Sequence, residues 1–157
     1  MKFRKLFENW DMSKLKISAG FLETEWKPQT DDRDAAWELY VEMLTRIVTQ
    51  PLAETEGDEQ TALDSVHALF GITREILRRR GRDCIQFSKI AIIVLNQIVR
   101  PFTGKWHNLA LAGAFEQPEQ CRAFRQELTE LQAALREYTK TLAKIAEVED
   151  LTALAFE

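Results

Sequence analysis

Arg100-Pro101-Phe102-Thr103-Gly104-Lys105-Trp106-His107 is the stretch whose reading decides the fold. It follows a strongly apolar segment and sets a guanidinium, an ammonium, an indole and an imidazole close together. Pro101 has no backbone N–H and Gly104 favours turns, so local rules predict a break between two helices here. In one reading the break is architecture: Arg100 and Lys105 satisfy helix C-terminal carbonyls and nearby carboxylates, while Phe102 and Trp106 plug the end of a core. In the other, Arg100 and His107 do chemistry, and Lys105 and Trp106 supply a phosphate contact and a stacking face.

Working outward, residues 83–99 carry Ile85, Phe87, Ile90, Ile92, Ile93, Leu95, Ile98 and Val99 around most of a helical circumference, the pattern of an interior helix. Before it, a helix predicted from Asp58 buries Leu63, Val66, Phe70 and Leu77. It ends in Arg78-Arg79-Arg80-Gly81, where the glycine suits a left-handed cap and the arginines complement the helix dipole. The first helix begins at Thr30, Asp31 or Asp32 as cap, presents Trp37, Tyr40, Val41, Leu44, Ile47 and Val48 on one face, and ends before Pro51. A last helix from Pro118 holds Cys121, Phe124, Leu128, Leu131, Leu135, Tyr138, Leu142 and Ile145 in a heptad seam.

Short connections make successive helices antiparallel. The predicted fold class is therefore all-α: one domain over residues 1–157, with an antiparallel four-helix bundle at 30–157 and a long fourth helix. Residues 1–28 form a short N-terminal β-like extension, because Leu15, Ile17 and Ala19, then Leu22, Thr24 and Trp26, alternate with polar residues. Ahead of these, Phe3, Leu6, Phe7 and Trp10 fall at one-face helical spacing. The last helix would be ~45 Å long against ~27 Å for the third, so its excess needs cover from the N-terminal segment, the loop after Arg100 or a second copy.

The chain has 157 residues, 45% hydrophobic and 29% charged, with a net charge of -4, which gives no global pull toward nucleic acid or anionic lipid. The longest apolar run, residues 90–95, is far short of a membrane span, and the N-terminus lacks a secretory h-region. Cys84 and Cys121 have neither metal-ligand nor disulfide-framework spacing. Nucleotide, acyl-transfer and zinc-hydrolase motifs are missing. The expectation is a cytoplasmic protein with no cofactor, no metal and no membrane span. Charge is uneven: residues 31–64 hold ten acids and two bases, residues 74–105 eight bases and two acids. His67 reads as a partly buried residue at the core edge.

Arg100 and His107, with six residues between them after the third of four helices, resemble the motif of the HEPN superfamily of helical-bundle proteins. That resemblance implies a metal-independent ribonuclease acting as a dimer, with His107 as general acid or base at the ribose 2'-hydroxyl and Arg100 stabilising the phosphorane. The leading expectation from the residues themselves is different: a non-enzymatic helical interaction or regulatory module. It has the look of a small prokaryotic accessory protein that forms a homodimer or binds a larger companion. A third reading is an RNA-binding bundle working through the basic patch of Arg74, Arg78, Arg79, Arg80 and Arg82, although nucleic acid is not the favoured partner. By helix rise that patch is predicted ~27 Å from Arg100, in a separate place.

Overall fold

The computed structural model describes residues 28–156, and all regular structure among them is helical. The alternating segments and the Phe3 to Trp10 face lie outside the described residues. Helix α1 spans Thr30–Leu44. It starts where Gln29 is extended, and the Asp32 carboxylate accepts the Gln29 N–H at 2.7 Å. The other oxygen of Asp32 accepts the N–H of Phe87 at 2.9 Å, so one fully buried carboxylate holds two helix starts together.

The first helix stops at Leu44, well before the predicted end at Pro51. Its last carbonyls find side chains instead of further helix. Thr49 Oγ1 donates to Met43 O at 2.5 Å and Gln50 Nε2 to Leu44 O at 2.8 Å, and Gln132 Nε2, from across the core, holds the turn that follows through the carbonyls of Ile47 and Gln50. Helix α2, Glu59–Arg80, is capped by Asp58, which accepts the Thr61 N–H at 2.7 Å; the bonds from Thr61 hold this carboxyl below the usual carboxylate range. It ends at Gly81 with φ 66° and ψ -149°, a backbone region that side chains strongly disfavour. A single tight turn at Gly81–Cys84 then sends the chain back along α2.

The predicted break at Pro101 is a helix. Helix α3, Ile85–Val94, passes through a π-helical turn at Leu95–Val99 into α4, Arg100–Leu111. The Arg100 N–H reaches Leu95 O, five residues back. In an unbroken α-helix a proline clashes with the carbonyl four residues back and lacks the N–H to bond it, and the wider turn just ahead of Pro101 relieves both conflicts. The core explains why the extra residue is there. Val94, Ile98, Phe102 and Trp106 are all buried and follow one another at steps of four. On a straight α-helix each such step drifts by ~40°, and the inserted residue takes up that drift.

After a short 3-10 turn at Ala114–Glu116, helix α5 covers Pro118–Ala146. The expected mismatch in length is removed, since residues 85–111 run ~40 Å beside ~44 Å for α5. Phe102 and Trp106 pack on Phe124 with ring centroids 5.5 and 5.2 Å apart, so the supposed loop covers the start of the last helix. Trp37, Val41, Ile85 and Ile92, assigned to inward faces, are 45, 42, 51 and 48% exposed. The outer sides of α1 and α3 have no neighbour among the described residues. No helix among them is long and apolar enough to cross a membrane.

Candidate functional site

Continuing the helix through residues 100–107 divides that stretch between two faces. On the inner face Phe102, Thr103 and Trp106 are buried. Trp106 Nε1 donates to Glu127 Oε2 at 2.9 Å, and Lys105 pairs with the other oxygen of Glu127 while lying 5.1 Å from the indole. Lys105 and Trp106 are thereby engaged with α5. They do not share a surface with Arg100 and His107.

The outer face holds those two residues seven apart, two turns and ~10 Å along one side of α4. The Arg100 guanidinium sits 4.7 Å from the centre of the Phe70 ring, and its Nε donates to Asn96 Oδ1 at 3.0 Å. The His107 ring meets His67 edge-on at 5.0 Å, and His67 in turn lies 5.6 Å from Phe70. Arg74 approaches the same phenyl ring at 5.8 Å. The site is therefore a strip across α2 and α4 that runs from Arg74 and Arg100, through Phe70, to the imidazole pair.

Two expectations change here. His67 is exposed rather than tucked into a core edge. Arg74 is not remote from Arg100, because α3 and α4 return antiparallel along α2 and carry Arg100 back to its middle. The rest of the basic patch splits. Arg79 and Arg80 both pair with Glu38 of α1, and Arg80 also reaches Asp31 at 3.3 Å and Asp34 at 3.4 Å. The Glu38 hydrogen bond, with Asp31 and Asp34 behind it, holds Arg80 still more firmly charged than a free arginine. Part of the acid-base asymmetry in the sequence is thus resolved inside the chain. Arg74, Arg78, Arg82 and Arg100 have no carboxylate at ion-pair distance among the described residues.

Gly71 and Gly104, one turn beyond His67 and Arg100, sit inside helices where an added Cβ would meet nothing within 4 Å. Packing among the described residues does not require either glycine, and each costs about 1 kcal/mol of helix stability relative to alanine. Gly71, Arg74, Glu75, Arg78 and Arg79 border a shallow depression. The strip supplies cations, two imidazoles and an aromatic face. No group of three or more His, Cys, Asp and Glu that could hold a metal occurs among the described residues. Both cysteines are free thiols, Cys84 buried and Cys121 half-buried, the latter pushed above its ordinary pKa mainly by burial.

His67 is the candidate-site residue that the sequence reading left at the core edge. Its signal was its phase: His67, Phe70 and Arg74 fall at steps of three and four on one side of α2. In comparisons with known proteins, no family model, no curated protein and no solved structure matches this chain.

Proposed function

We propose that the chain is a helical interaction module that works through the α2/α4 strip, binding a partner that presents anionic groups. In this reading α1, α2, α3 with α4, and α5 make an antiparallel four-helix bundle, and the bundle is a scaffold for that strip in a small accessory protein that self-associates or joins a larger companion. The observation that carries it is the set of arginines, Arg74, Arg78 and Arg100, without carboxylates at ion-pair distance among the described residues, on two helices that each carry an exposed glycine. Unpaired surface cations attract and orient an anionic partner, and glycine lets a partner's backbone come close. Arg74→Glu with Arg100→Glu is expected to weaken by about tenfold or more the assembly seen by light scattering, alone or with the companion that co-purifies. Gly71→Ala with Gly104→Ala should also weaken it while raising folding stability by about 1–2 kcal/mol. An assembly untouched by both changes would remove this reading.

A second reading has one specific observation behind it, the 5.0 Å approach of His67 to His107 on the strip that also holds Arg100, across the Phe70 ring. Two imidazoles and a guanidinium are the groups a metal-independent RNA transphosphorylation uses. One ring takes the 2'-hydroxyl proton, the other returns a proton to the leaving 5'-oxygen, and the cation stabilises the phosphorane. Labelled single-stranded RNA incubated with protein in EDTA tests it. Cleavage lost in both His67→Ala and His107→Ala, with the fold intact, is the expected pattern, and wild-type protein that leaves the RNA whole at high concentration excludes it.

A further inference from the structure

Tyr138, in the middle of α5, is fully buried, and its hydroxyl has no hydrogen-bond partner among the described residues. Buried hydroxyls are almost always bonded, so an orphan of this kind calls for an explanation. Burial lifts its pKa above the usual tyrosine range, which keeps it an O–H donor. The side chain lines a small internal space whose only other polar side chain among the described residues is Thr73 of α2, itself buried. The remaining wall includes Val94, Leu95 and Val99, which belong to the π turn or adjoin it. The room open to the centre of a water molecule is about 10 Å³. That is close to the least space one water needs.

The π turn supplies the missing chemistry. Where a helix widens from four-residue to five-residue hydrogen bonds, its carbonyls are short of donors, and Pro101 contributes none. Water inserted into a helix ladder is an established companion of such irregularities. We infer that one water molecule is built into this turn, accepting from the Tyr138 hydroxyl and bonded to the Thr73 hydroxyl and to a backbone carbonyl of Leu95–Val99. The inference stands apart from the proposed function but bears on it. The inserted residue rotates everything after it by ~100° about the helix axis. That rotation turns Phe102 and Trp106 inward and leaves Arg100 and His107 beside Phe70 and His67. The water is thus a positioning element for the strip, in a cavity too small for any larger ligand.

A crystal structure of the whole chain at about 1.5 Å, paired with Tyr138→Phe, tests this. The expected result is a solvent peak within about 3.2 Å of Tyr138 Oη. In Tyr138→Phe that peak should be lost and the midpoint of thermal unfolding lowered by about 2–4 °C. No peak at Tyr138, together with a variant that unfolds at the wild-type temperature or above it, would overturn the inference.

Discussion

Trp106→Ala is expected to lower the free energy of unfolding by about 3–5 kcal/mol, a large share of what a domain of this size has. The indole is 1% exposed and lies between Phe115 and Phe124, at 6.0 and 5.2 Å between ring centres. Truncation opens a cavity where α4 covers the start of α5. It also deprives Glu127 of its indole donor, leaving Lys105 as its remaining partner here. Trp106→Phe keeps most of the packing and loses the Nε1 bond, so it should cost less, about 1–2 kcal/mol. Lys105→Ala, at a half-exposed ion pair, should change stability by less than about 1 kcal/mol. Urea titrations of the three variants give the ranking directly. A Trp106→Ala protein within about 1 kcal/mol of wild type would place the indole outside the core, as a loop residue would be.

Asp32→Ala comes next, at about 2–4 kcal/mol. Asp32 is the one fully buried acid among the described residues, and its two oxygens accept backbone N–H groups from Gln29 and Phe87. Both donors sit at helix starts, where the intrahelical ladder offers them nothing. Alanine leaves the N–H of fully buried Phe87 unpaired, while the Gln29 N–H, on an exposed residue, loses its cap and turns to water. Asn keeps one acceptor oxygen and should recover part of the loss. Chemical denaturation measures the total, and amide exchange at Phe87 locates it, since that N–H should lose protection first. A change of about 0.5 kcal/mol or less, as at an ordinary surface site, would mean that the link between α1 and α3 is not made.

Helix ends carried by side chains were legible in the sequence. Asp58, Gly81 and Pro118 each mark a terminus where the structure has one, because a cap or a proline acts within a turn of itself. The end of α1 was not, since Thr49 and Gln50 take its last carbonyls only in a turn that is itself held by Gln132, more than eighty residues away in sequence. Pro101 and Gly104 gave a local signal for a break that the tertiary structure overrides. The competing signal was present in the steps of four from Val94 to Trp106, which mark an inserted residue rather than an interruption. Trp37 and Ile92 show the reverse limit. An apolar side chain predicts burial only if something arrives to cover it.

The candidate site was legible as residue types and not as a place. Arg100, His107 and Arg74 stand out by chemistry, but only the antiparallel return of α3 and α4 brings them to Phe70 and adds His67. Which arginines are spoken for was equally hidden. Arg79 and Arg80 look no different from Arg78 in sequence, yet their phase on α2 carries them to Glu38 and leaves Arg78 turned elsewhere.

The central claim is that residues 100–107 are helical, with Phe102 and Trp106 facing inward and His107 facing His67 across α2 and α4. Nuclear Overhauser spectra of the labelled full chain test it most directly. The account predicts cross-peaks between the ring protons of His67 and His107, whose centroids are 5.0 Å apart, together with helical carbon shifts throughout Arg100–Leu111. Extended or turn shifts across residues 101–107, with no cross-peak between the two imidazoles, would contradict it.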